Sequence, residues 1–223
     1  MKNLIRKIPI MGPIIRNVYR KWINPLKPFS TSANYWEERY KSGGNSGDGS
    51  YGKLAEFKAG VLNRFVKEQN VKTIIEYGCG DGNQLRLADY PLYIGFDVSP
   101  KAITLCRKIF SSDTTKTFKL TNEYSGEKAQ VTLSLDVIYH LVEDDVYHEY
   151  MFRLFDSAER FVVIYSSNIE ESLAAYLRQR KFTDWVDKMK PEWKLRSHIP
   201  NMYAYTGDSK TSSFSDFYIF ERA

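Results

Sequence analysis

The sequence predicts an α/β protein built on a mostly parallel, doubly wound sheet with helices on both faces, and three observations carry that prediction. Strand-like and helix-like segments alternate from residue 72 to the end of the chain, which implies right-handed crossovers between parallel strands. A glycine-rich turn at residues 78–82 follows directly on the first of those strands, and ligands on such sheets bind outside the carboxyl ends of the strands. The composition is that of a globular domain: 223 residues, 43% hydrophobic and 26% charged, are enough to bury one real core. Cys79 and Cys106 are too few to staple a fold of this size, and neither belongs to a CxxC pair or a Cys/His cluster. A reducing, cytoplasmic setting without a structural metal is therefore expected. A mean hydropathy of −0.45 and the lack of any apolar run of about 18 residues argue for a soluble protein.

Each element has its own local reason. Thr31 or Ser32 can cap a helix that reaches about Tyr40. Five glycines within residues 42–52 then give the backbone freedom for positive φ or for close approach to a ligand. In the next helix Leu54, Phe57, Val61, Leu62, Phe65 and Val66 form one apolar stripe, ending before Gln69 and Asn70. Residues 72–77 read as a strand, 83–89 as a short helix, 92–97 as a strand, and 99–110 as a helix opened by Ser99 and Pro100. A weaker strand near 116–120, a strong one at 130–136, a helix at 144–157 and a strand at 160–166 follow. A helix at 169–188 and two final strands, near 193–198 and 214–221, complete the chain.

Residues 1–30 stand apart from the body at 31–223 as a basic arm. The first 36 residues hold seven Lys or Arg and no acid, whereas the remainder holds 25 basic and 27 acidic residues. A secretory signal does not fit, because Arg6, Lys7, Arg16, Arg20 and Lys21 interrupt every apolar stretch. From Pro13 onward Ile14, Ile15, Val18, Tyr19, Trp22 and Ile23 recur at helical spacing, with Arg16, Asn17, Arg20 and Lys21 opposite. Two readings of this helix stand side by side: docking on the body, or lying on an anionic membrane surface. Binding to nucleic acid ranks third.

The sharpest chemical signal is Glu76-Tyr77-Gly78-Cys79-Gly80-Asp81-Gly82, between a strand and a helix. The spacing fits neither the GxxxxGK[ST] phosphate cradle nor the GxGxxG dinucleotide turn. Asp97 ends the next strand, 21 positions after Glu76, where a carboxylate can accept two hydrogen bonds from a ribose diol. Together, ExGxGxG and the strand-end Asp97 resemble the first motifs of class I S-adenosylmethionine-dependent methyltransferases, and the resemblance runs from about residue 34 to the end.

That resemblance implies a Rossmann-like, seven-stranded sheet closed by an antiparallel C-terminal hairpin, formed by 193–199 with 213–220. It implies S-adenosylmethionine as cofactor, held by Glu76, Gly78, Cys79, Gly80, Gly82, Asp97 and Val98, with Leu135 and Asp136 at the end of the fourth strand. The segment Ser134–Leu141 resembles the VLEHL-like stretch of small-molecule methyltransferases and lacks the [ND]PP[FY] tetrapeptide of enzymes acting on nucleic-acid bases. His140 is the expected base for an acceptor hydroxyl, with packing or capping as the competing role. The segment from Tyr35 to Tyr40 resembles a WxxRY-type helix that folds over the cofactor, so that Trp36 would wall the site and Arg39 would pair with the methionine carboxylate. The expected activity is methyl transfer to a small-molecule or glycan acceptor at oxygen, in the cytoplasm and, through residues 1–28, at the inner face of the membrane. The glycan reading comes from a likeness to methyltransferases that accompany glycosyltransferases in surface-polysaccharide assembly. RNA or protein methylation, and a methyltransferase fold kept only as a binding subunit, are the alternatives; the near-neutral body disfavours a nucleic-acid substrate.

Overall fold

The computed structural model describes residues 29–223; the amphipathic helix read at residues 14–23 lies outside them. Five α-helices are described: α1 (Ser32–Lys41), α2 (Gly52–Glu68), α3 (Pro100–Ile109), α4 (Asp144–Asp156) and α5 (Phe182–Met189). The strands among the described residues are β1 (Thr73–Tyr77), β2 (Leu92–Asp97), β3 (Lys116–Leu120), β4 (Ala129–Leu135), β5 (Ala158–Ser166), β6 (Glu171–Ala174), β7 (Leu177–Gln179), β8 (Trp193–Ile199) and β9 (Asp216–Arg222). Seven of them form one sheet in the order β3-β2-β1-β4-β5-β9-β8. The strands from β3 across to β5 run parallel, and β9 and β8 add the antiparallel hairpin at the far edge. This is the expected doubly wound architecture. Its strand order reverses between β1 and β4, which places the ligand crevice at their carboxyl ends.

Alternation along the strands feeds two cores. Ile74, Val131, Leu133 and Val163 face α2 and α3, where Leu62, Phe65, Val66, Ile103 and Cys106 meet them. Ile75, Val162 and Ile164 face α4 and α5, meeting Met151, Leu154, Phe155, Phe182 and Val186. With both faces covered, the central strands read as nearly continuous apolar runs.

Two segments differ from expectation. The short helix expected at 83–89 is a single 3-10 turn, Gln84–Leu87. The helix expected at 169–188 is instead the β6–β7 hairpin followed by the shorter α5. Arg178 and Arg180 explain the change. Both donate to Asp144 Oδ1, at 2.9 and 2.6 Å, and Arg180 also donates to the Leu141 and Val142 carbonyls. Residues two apart share one face of an extended chain but would point about 200° apart on a helix. These tertiary bonds override a run of good helix formers.

Candidate active site

The apolar strand β1 ends at a loop whose glycines 78, 80 and 82 all have left-handed backbones, with φ of 85°, 60° and 77°. Side chains are excluded here by the protein itself as well as by conformation. A Cβ on Gly78 would come within 2.4 Å of Val137 Cγ2, and one on Gly80 within 2.4 Å of Ser46 Oγ. Asp97 holds the loop in place: Gly80 N–H donates to Oδ2 and Ser99 N–H to Oδ1, each at 2.9 Å. Ser99, not Asp97, caps α3, accepting from Ala102 N–H at 3.1 Å. With the Val98 N–H also directed at it, the carboxylate accepts from three backbone groups and keeps acceptor capacity for one more. Burial lifts this carboxyl to about 6. Glu76 lies deeper, accepts from Tyr93 OH at 2.6 Å, and is pushed by burial to about 7.

Helix α1 crosses the carboxyl ends of the strands and is fastened on both sides. Thr31 caps it. Ser32 N–H donates to Glu143 Oε1 at 2.8 Å and Ser32 Oγ to the His140 carbonyl at 2.6 Å. Five residues further on, the Glu37 carboxylate accepts from Ser99 Oγ. The glycine-rich segment 42–52 is pinned onto the loop after β1, with Ser46 N–H and Tyr51 OH donating to Asp81 Oδ2 at 2.9 and 2.8 Å. Ser46 Oγ in turn accepts from Asp81 N–H at 2.9 Å.

Two cavities open between these parts. The first, about 390 Å³, is bounded by Ser32, Trp36 and Tyr40 of α1, by Gly78, Asp97, Val98 and Thr121, and by Asp136, Val137, His140 and Tyr150. Its volume lies within the range of about 300–1,000 Å³ typical of ligand sites. The second, about 260 Å³, is bounded by Tyr35, Arg39, Ser46, Gly49, Tyr139, Tyr176, Tyr205, Ser212 and Phe214. Trp36, Asp136 and His140 line both.

The junction is tightly organised. Asp136 is one of two non-glycine residues with positive φ among the described residues, at 59°. That backbone strain is held by three side chains on its carboxylate: Lys58 Nζ at 2.7 Å on Oδ2, with Tyr139 OH at 2.9 Å and Ser215 Oγ at 3.0 Å on Oδ1. Lys58 is only 1% exposed. His140 packs against Trp36 edge-on, with ring centres 4.9 Å apart, and its Nδ1 lies 3.3 Å from the Tyr176 carbonyl oxygen. Burial holds its imidazole down to about 4, so the ring is neutral at physiological pH. Arg39 donates to the Asn45 carbonyl at 2.6 Å and lies over the Trp36 ring at 5.5 Å.

Of the residues assigned to the cofactor from sequence, Trp36, Gly78, Asp97, Val98 and Asp136 line the first cavity. Arg39 lines the second. Glu76, Cys79, Gly80, Gly82 and Leu135 line neither. Cys79 is buried, and its hydrogen bond with Cys106, together with that burial, raises its thiol well above the ordinary value. Sequence reasoning missed Lys58, Asp81, Tyr139 and Ser215. Lys58 alone carried a signal, a charge exactly one α-helical i, i+4 step from Leu54 and from Leu62, both fully buried.

No protein-family profile and no curated protein sequence matches this chain. Solved structures do. Magnesium protoporphyrin IX methyltransferase from Synechocystis PCC 6803, with bound SAM, superposes with a TM-score of 0.62 at 15% identity, covering 89% of this chain and 100% of that one. The N-methyltransferase NodS from Bradyrhizobium japonicum WM9, in complex with S-adenosyl-L-homocysteine, gives 0.64 at 12% identity over 86% of this chain and 99% of that one. The small RNA methyltransferase HEN1 gives 0.58 at 18% identity, covering 78% of this chain and 26% of that one. The fold is that of the class I, S-adenosylmethionine-dependent methyltransferases.

Proposed function

We propose that this chain is an S-adenosylmethionine-dependent methyltransferase acting on a hydroxyl oxygen of a small-molecule or glycan acceptor. The observation that carries the reading is the pair of cavities meeting at Trp36, Asp136 and His140, one bounded by Asp97 and Gly78 and the other by aromatic rings and serines. The first suits the cofactor. Asp97 has acceptor capacity left for a ribose hydroxyl, Val98 and Val137 offer apolar walls, and the bare backbone of Gly78 permits close approach. When bound, the cofactor supplies a sulfonium methyl group open to in-line displacement. Asp97 and Gly78 bind, and Trp36 and Tyr40 close the cavity against water, while Arg39, on the wall of the second cavity, offers its guanidinium on the acceptor side. Glu76, Cys79, Gly80, Gly82 and Leu135 shape the loop and strand end from beneath.

His140 supplies the remaining step. A neutral imidazole between the two cavities can accept the proton of an acceptor hydroxyl as the oxygen forms its new bond. The aromatic and hydroxyl-rich lining of the second cavity suits a sugar or other hydroxylated ring better than a phosphate backbone. A labelled methyl donor offered with glycans, phenols and RNA tests the reading: label should pass to a hydroxylated small molecule or glycan, and transfer to RNA alone would overturn it.

The basic arm extends the proposal. With residues 1–28 on anionic lipid, a cytoplasmic enzyme would work at the inner face of the membrane. The full chain should then co-sediment with anionic vesicles at low salt and release at high salt. A chain starting at Ser30 should not bind them, and salt-insensitive or absent binding by the full chain would remove the arm from the function.

A further inference from the structure

The geometry points to Tyr176, in the turn of the β6–β7 hairpin, as a positioning residue for His140: its main-chain carbonyl fixes the imidazole as the Nδ1–H tautomer and leaves the Nε2 lone pair as the ring's acceptor. This rests on the reading of His140 as the acceptor-side base. A carbonyl oxygen only accepts, so the hydrogen bond between Tyr176 O and His140 Nδ1, at 3.3 Å, requires the ring proton on Nδ1. A neutral ring so held has one nitrogen free to take a proton, and that nitrogen is Nε2.

The other two histidines are arranged the opposite way. Trp185 Nε1–H, which only donates, meets His148 Nδ1 at 2.7 Å, so a neutral His148 carries its proton on Nε2. His198 meets the Asp216 carboxylate, which accepts, through Nε2 at 2.9 Å. His140 is thus the one histidine of the three in the chain whose contacts select Nδ1–H.

The hairpin holds its carbonyl there by two fastenings. Arg178 and Arg180 tie the second strand to Asp144 and to the carbonyls just after His140. At the turn, the Tyr176 ring stacks on Tyr35 of α1, centres 5.0 Å apart and planes within 5°. Strand β6 is exposed along its whole length, and a two-stranded hairpin is marginal by itself. The arginines hold the second strand, and the ring stack holds the turn itself.

Nitrogen-15 NMR of histidine side chains in the full chain tests this without acceptor or turnover. At about pH 8, above the ordinary imidazole value of about 6.5, the wild type should show one Nδ1–H histidine, absent in His140→Asn, and two of Nε2–H type. Tyr176→Ala and Tyr35→Ala, which remove the stack from either side, should each lose the Nδ1–H signal to a mixture of tautomers. Tyr176→Phe should restore it. The His148 and His198 signals stay unchanged and certify the fold. An Nε2–H His140 in the wild type, or an Nδ1–H signal that survives both alanine variants, would overturn the inference. Failure to transfer methyl groups to any acceptor would sink the enzymatic reading while leaving the tautomer result standing, so the two are separable.

Discussion

The two cavities that meet at His140 are made of different material. The one at Asp97 sets strand ends and the turns that follow them against α1 and α4, with Gly80 and Ser99 backbone N–H groups converging on one carboxylate. The one at Tyr176 shares α1 and the turn from Asp136 to His140 and is otherwise formed by parts added to the sheet: the segment 42–52, the β6–β7 hairpin and the stretch from Tyr205 to Phe214. Backbone geometry at a strand end follows from the fold and tolerates wide change in sequence. Side chains on added elements can be exchanged without touching the sheet, and sites are varied on a common fold in that way. The first cavity should accordingly govern cofactor affinity and the second the acceptor.

The largest effect is expected where the two are joined. Lys58→Met strips a buried partner from Asp136 and should destabilise the protein by about 3–5 kcal/mol, read as a lower urea midpoint. A neutral outcome would mean that Tyr139 and Ser215 alone hold the junction. Next comes His140→Ala, which should lower turnover roughly a hundredfold while leaving cofactor affinity in place. Loss of both would erase the distinction between the cavities. Wild-type turnover should also show no ionisation of this base between about pH 5 and 8, because burial keeps the ring neutral there.

Asp97→Asn should weaken cofactor binding by about 1–3 kcal/mol, roughly ten- to a hundredfold, in a calorimetric titration. Wild-type affinity should fall as pH drops below about 6, where the carboxyl takes up its proton and loses acceptor positions. The smallest effect is expected beneath the loop. Glu76 has a folded-state value raised to about 7 by burial, so its contribution to stability is present below about pH 4 and is lost as pH rises to 7. Glu76→Gln, which can still accept from Tyr93, should stabilise the protein by about 1–3 kcal/mol at pH 8 and not at all near pH 4. Melting curves at the two pH values decide it, and equal stability at pH 8 would mean that Glu76 is ionised at no cost.

The same contrast explains what could be read in advance. Ile74 and Ile75 followed by three alternating glycines announce a strand and its turn, and Asp97 falls at the end of the next strand, so these strand ends were legible from local pattern, while Glu76, Cys79, Gly80, Gly82 and Leu135 lie outside the lining of the first cavity. The second cavity was not legible. Residues 170–180 are rich in helix formers, and only the contacts of Arg178 and Arg180 with Asp144, more than thirty positions away, make them extended. Ser215 and Lys58 reach Asp136 across 79 and 78 positions, beyond any periodicity. The five glycines of 42–52 were legible as backbone freedom, but Gly49 uses it against Asp136, whose Oδ2 a Cβ would approach to 2.8 Å.

Helix α1 carries a kinetic consequence. It forms one wall of the first cavity, and its hydrogen bonds reach Glu143 and the His140 carbonyl on one bank and Ser99 on the other. A molecule lodged under such a bridge leaves when one mooring lets go, so its residence time is set by the breaking of a few hydrogen bonds in the protein and not by diffusion alone.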